Sequence, residues 1–339
     1  MQTIAGTLPV TGNLTVLKDG GLYIGVDIGG TKVAAGMVNN KGEIGRQSKG
    51  PMSTHGTAAQ GLSCVVNAIN NVLDGDPSLK ESLRGIGICS PGPLDPRGGV
   101  VINPPNLPCW RNFPLADEVS RIFGVPVKVD NDANAAALAE SLWGAGRGYH
   151  NVFFAIVGTG IGTGILFDGK IYYGRTGAAG EGGHVTIDYN GPRCGCGKLG
   201  CIEILAAGPA IGKRARAKLE AGGKSAMCDL VNGNLDLVTS EIVGRAYSKG
   251  DPLAREVLLE TVELMSIWLG NMIDLLEPDV LILGGGAATM LQPFYGEIRE
   301  RLPRWCVNTR CREIPILPAN YGNEAGIAGG AALTFQVAS

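Results

Sequence analysis

Two stretches of this chain, far apart in sequence, run through the same order of elements. The first is "LYIGVDIGGTKVAAGMVNNKGEIGRQS" and the second is "NVFFAIVGTGIGTGILFDGKIYYG". In each, a β-rich apolar burst meets a glycine turn, a second burst, a polar turn and a third strand. The letters match weakly, but the order repeats. A repeat of this kind restricts the chain to two related α/β halves. At 339 residues the chain is also too long for one ordinary core.

The intervening sequence fits that plan. Residues 58 to 73 carry a helical apolar pattern. "LRGIGICSPGPLD" reads as a buried strand ending in a Pro/Gly loop. "FGVPVKVDND" is another strand, and "ANAAALAESLWG" is an alanine-rich helix that stops at Gly144. "TVELMSIWLGNMIDLLEPDVLILGGG" is a buried helix feeding a strand, because its polar residues keep helical spacing among apolar faces. "GNEAGIAGGAALTFQ" closes the chain as a small-residue helix able to pack closely. Alternating strands and helices predict an α/β class with largely buried sheets.

Composition removes several functions. With 29 basic and 31 acidic residues and no basic block, no nucleic-acid partner is expected. No run of 18 apolar residues occurs, so no membrane span is expected. Residues 1 to 21 lack the basic start and apolar core of a signal peptide. Nine cysteines without a secretion signal point to a reducing compartment, hence a cytoplasmic protein.

Three constellations carry chemistry. "GHVTIDYNGPRCGCGKLGCIE" gathers His184, Cys194, Cys196 and Cys201, one imidazole and three thiols. Tetrahedral zinc takes such a set in closed, structural sites, and loose free thiols are the bland alternative. Glu181 and Glu203 flank it and suggest that it also touches a substrate. The loops "DIGGTK" (27 to 32) and "GTGIGTG" (158 to 164) offer bare backbone amides to phosphate. Neither matches a Rossmann or Walker pattern, and each alone is equally readable as a plain hairpin. A triple glycine at 284 to 286 adds weight to the pair. "VDNDANAAALAE" crowds Asp130, Asn131, Asp132 and Asn134 at a strand end and helix start. One of these is an N-cap, and a carboxylate left over there can accept a hydroxyl proton.

Taken in order, "DIGGTK", "SPGPLD", "NDAN", "GTGIGTG", "GEGGH", "CGCGKLGCIE" and "LGGG" resemble the ROK family of bacterial sugar kinases and repressors. The resemblance runs over nearly all of the chain from residue 22, and the cysteine motif is its most specific part. It implies an actin/hexokinase-like, duplicated ribonuclease H-like fold with two lobes and a cleft. The small lobe would hold 22–130 and the returning helix 322–339, and the large lobe 131–321, with 1–21 an extension of no assigned role.

The resemblance also implies roles. Asp132 would be the base, and Asn106, Asn131, Glu181, His184 and Glu203 would hold sugar hydroxyls together with it. Asp27 would sit near magnesium. Gly29, Gly30, Thr31 and Lys32, with Gly158, Thr159, Gly160 and Gly162, would wrap the ATP phosphates. Gly284, Gly285 and Gly286 would lie by the adenosine. His184, Cys194, Cys196 and Cys201 would bind structural zinc. The expected enzyme is a cytoplasmic, homodimeric hexose kinase of glycolysis, with glucose as first substrate. N-acetylmannosamine, N-acetylglucosamine, fructose and allose remain open, as does polyphosphate as donor. The rival from another class is a sugar-responsive repressor, which the short leader disfavours because it leaves no room for a DNA-binding domain.

Overall fold

The computed structural model describes residues 10–11 and 21–335. Within the 1–21 extension, Val10–Thr11 pairs antiparallel with Ile44–Pro51, and residues 1–9 and 12–20 lie outside the described residues, as do residues 336–339. The chain divides into two compact units. The first holds the described residues up to Gly148, Leu166–Ala179 and those from Tyr321 on. The second holds Tyr149–Ile165 and Gly180–Asn320.

In the first unit the strands Ile44–Pro51, Lys32–Val38 and Leu22–Ile28 follow in that order, each antiparallel to its neighbour. Leu83–Cys89 and Val127–Asp130 then continue the sheet in parallel. Alternation places Ile24, Val26 and Ile28 on the face covered by helix Ala58–Leu73, with Val65, Ile69 and Val72 opposite them. That helix starts where the sequence pattern places it, because Thr57 and Gln60 form a reciprocal capping box.

The other face carries helix Ala325–Leu333, which also packs on helix Asp132–Leu142. Small residues make this possible. A Cβ on Gly87 would lie 1.7 Å from the Gly330 carbonyl oxygen, so only glycine lets the two backbones meet there. This packing keeps Asp132–Leu142 in the first unit. The division therefore falls at Gly148, beyond the boundary at 130 expected from sequence.

The second unit is built on the strand order Ile161–Phe167, Val152–Val157, Val280–Gly284, Ile316–Pro318. The last three are parallel. Beyond the second unit's share of that strand, Leu166–Phe167 pairs antiparallel with Lys170–Ile171, both within the first unit. Helix Pro252–Leu276 begins well before the Thr261 at which the sequence pattern opens. Asp251 caps it by accepting from the Ala254 amide at 2.8 Å, and Pro252 takes the first helical position. Its Trp268 is fully buried, with its ring edge-on to Phe153 at 5.6 Å.

Candidate active site

Backbone register sets up the first group of residues. Asp27 pairs with Cys89, and Cys89 pairs with Asp130, so the three stand level at the carboxyl ends of parallel strands. That is where open α/β sheets bind ligands. Asp130 is buried and receives the Tyr173 hydroxyl at 2.6 Å, the Asn131 amide at 2.7 Å and the Asn134 side-chain amide at 3.1 Å. These bonds lock the strand-to-helix turn. Asn131 proves to be the N-cap, its side-chain oxygen accepting from the Asn134 amide at 2.7 Å. Asp132 takes the first helical position and accepts from the Ala133 amide at 2.8 Å.

The electrostatics follow from crowding. Desolvation by the surrounding protein raises the Asp132 carboxyl above its ordinary range, although the residue is itself exposed to solvent. Burial also raises Asp27, and the Asp132 charge adds to it while Lys49 opposes both. Burial raises Asp130 against its three hydrogen bonds. Asn106 lies on an exposed turn, with Gly30 facing it, between the buried Leu107 and Trp110 and the "DIGGTK" turn. In that turn the Gly29 amide bonds the Lys32 carbonyl at 2.8 Å, and Thr31 and Lys32 are exposed.

The second unit brings His184, Cys194, Cys196 and Cys201 together, with ligand atoms all within 4.8 Å of one another. Cys196 Sγ is 3.7 Å from Cys201 Sγ, and Cys194 Sγ is 3.7 Å from His184 Nδ1. A tetrahedron with arms of about 2.3 Å has edges of about 3.8 Å, so this donor set fits zinc. Backbone bonds and close packing hold the loop in this shape. The Cys194 amide bonds the Lys198 carbonyl at 2.8 Å, and Gly200 packs so tightly that a Cβ would lie 1.6 Å from the Asp188 carbonyl oxygen. The Lys198 amide holds the exposed Cys196 thiol below its ordinary range.

Glu203 stands in the first turn of helix Ile202–Ala206, with Oε1 3.9 Å from His184 Nδ1. Its other oxygen accepts from the Ile161 amide at 2.9 Å. Glu181 is exposed at the start of the 3-10 turn Gly182–His184. A cavity of about 870 Å³ opens elsewhere in this unit. Gly158, Thr159 and Gly286 line it, with Gly212, Arg216 and Thr239 among the others. Gly285, at φ 87°, turns strand Val280–Gly284 into helix Gly286–Leu291 at its edge.

Pattern reading missed several residues. Helix Ser240–Tyr247 supplies cavity lining, yet nothing in its sequence marks it. Tyr173 and Trp268 act by holding other residues, and a lone hydroxyl or indole has no motif.

The ROK family model matches residues 23–337. The chain belongs to the ROK family. A glucokinase of Streptomyces coelicolor is 34% identical over 319 residues, which is 93% of this chain and 98% of that protein. The crystal structure of a ROK family glucokinase from Streptomyces griseus, in complex with glucose and AMPPNP, aligns at TM-score 0.77 with 34% identity. It covers 92% of this chain and 99% of that one. A xylose repressor of Caldicellulosiruptor bescii is 31% identical over 287 residues, 85% of this chain and 71% of that protein. The fold is thus the actin/hexokinase-like ATPase fold of ROK proteins, as the family resemblance implies.

Proposed function

We propose that this chain is an ATP-dependent hexose kinase acting on the 6-hydroxyl, with glucose as its sugar. The observation that carries the reading is the level placement of Asp27, Cys89 and Asp130 at parallel strand ends, with Asp132 two residues on. The similarity to glucokinases over nearly the whole chain agrees with it.

In this reading Asp132 accepts the proton of the sugar hydroxyl as that oxygen attacks the γ-phosphorus and ADP leaves. Its raised pKa makes it a better proton acceptor than an ordinary aspartate. Asp27 would lie near the magnesium of MgATP, and a cation there would offset the repulsion between Asp27 and Asp132. The magnesium ion supplies charge neutralisation on the phosphates.

The cavity beside Gly158, Thr159 and Gly286 takes the nucleoside, since its volume suits a ligand of that size. Gly284 and Gly285 belong to the same donor side, and Gly29, Gly30, Thr31 and Lys32 take the phosphates. Asn106, Asn131, Glu181, His184 and Glu203 are read as the sugar ligands. Asn131 has its side-chain amide nitrogen left for this, because capping uses only its oxygen. Zinc on His184, Cys194, Cys196 and Cys201 would order the loop and take no part in the reaction. The working enzyme is a cytoplasmic homodimer feeding glycolysis.

The xylose repressor relative keeps a second class in view: a sugar-binding regulator without phosphoryl transfer. ADP release that requires added hexose separates the two, and a panel of glucose, fructose, allose and the two N-acetylhexosamines ranks the sugars.

A further inference from the structure

The "GTGIGTG" segment reads as a phosphate loop, but its Ile161 amide and Thr163 hydroxyl are engaged elsewhere. Gly158 and Thr159 line the cavity. From there the backbone turns back, the Gly158 amide bonding the Gly160 carbonyl at 2.9 Å. The Ile161 amide then donates to Glu203 Oε2 at 2.9 Å. Gly160 lies under the same carboxylate, where an added Cβ would come within 2.6 Å of Oε2.

Two residues later comes Thr163, which is buried. Its hydroxyl donates to the Gly180 carbonyl and accepts from the Gly182 amide at 2.9 Å. Trp268, buried in the long helix, donates its indole N–H to the Gly182 carbonyl at 3.0 Å. Gly183 rests on the same strand, where a Cβ would lie 1.9 Å from the Ile161 carbonyl oxygen. Every polar backbone group of Gly182 is thereby fixed, and Glu181 and His184 stand on either side of it. A buried hydroxyl that satisfies two backbone groups at once is costly to remove.

We infer that Thr163 is a positioning residue for the sugar: it clamps Gly180 and Gly182 so that Glu181 and His184 face the hexose, with Trp268 closing the clamp from the far side. The "GTGIGTG" loop is then divided by function. Its first two residues serve the donor, and residues 160 to 163 set the acceptor side. This rests on the kinase reading above for the identity of both ligands.

The test compares Thr163→Val, Thr163→Ser and Trp268→Phe in the zinc-loaded protein. Glucose and AMPPNP are titrated separately by calorimetry. Thr163→Val should weaken glucose by about tenfold or more, as losing a buried hydrogen-bonding group does. AMPPNP affinity should stay within about twofold and zinc content should be unchanged. Thr163→Ser keeps the hydroxyl and should bind glucose within about threefold of the wild type. Amide exchange over residues 180–184 reads the clamp without any ligand, and it should be faster in Thr163→Val than in Thr163→Ser. Equal loss of both ligands, no loss of glucose, or Ser behaving like Val overturns the inference. Where Thr163→Val does not fold, Trp268→Phe decides by the same criteria. A wild type that binds no hexose contradicts the kinase reading instead, and the exchange experiment still judges the clamp.

Discussion

Glu203 Oε2 accepts a hydrogen bond from the Ile161 backbone amide at 2.9 Å, while its other oxygen lies 3.9 Å from His184 Nδ1. One carboxylate thus joins the glycine loop to the cysteine cluster. Glu203→Ala should leave the Ile161 amide without its partner and cost about 1–3 kcal/mol of stability. Glu203→Gln retains an acceptor for that amide and should restore most of the loss. Both should raise KM for sugar. Thermal melts and initial-rate kinetics on the pair check this.

Asp132→Asn keeps shape but cannot take a proton. Its kcat should fall by about 10² to 10⁴, with sugar affinity largely kept. The stability effect has the opposite sense. The folded Asp132 carboxyl is raised, so its contribution to stability is full below the unfolded pKa and is lost as pH rises through the folded one. At neutral pH the aspartate is ionised at a cost that asparagine avoids. The variant should therefore melt no lower than wild type at pH 7, and its relative advantage should shrink as pH falls toward 4. Melting curves across that range give the answer.

Purified protein should carry about one zinc per chain, because four ligands complete one tetrahedral site. Cys196→Ala should lose the metal, lower Tm and raise KM for sugar. Elemental analysis of wild type and variant provides the measurement, and a wild type without zinc counts against the assignment.

Gly286 has open space where a Cβ would stand, and it lines the large cavity. Gly286→Val should fill part of that space with little effect on folding. KM for MgATP should rise several-fold while glucose affinity is unchanged. Equal kcat and KM for MgATP in the variant would remove the nucleoside from this cavity.

Much of the fold was legible because it rests on local patterns. Alternating strands at 22–28 and 32–38, the helical apolar pattern at 58–73 and the turn at "NNKGE" each declare themselves within a few residues. The cysteine cluster was legible for the same reason, its three thiols falling within one short loop. The boundary after Gly148 was not legible, since it depends on helix Asp132–Leu142 meeting a helix that comes almost two hundred residues later. The start of the long helix escaped because its first turns hide their apolar stripe among charged residues. Among site residues, Asn131 illustrates the limit of pattern. Sequence shows an N-cap somewhere in "DNDAN", and only coordinates show which residue does the capping and which carboxylate is left.

The most direct test of the account is ADP release measured with and without a saturating hexose, using wild-type protein, magnesium and ATP. The account predicts negligible release with ATP alone and rapid release with glucose, with kcat/KM highest for glucose across the sugar panel and nearly abolished by Asp132→Asn. ADP release that is unaffected by every sugar, or a sugar-dependent rate that Asp132→Asn leaves within threefold of wild type, would contradict it.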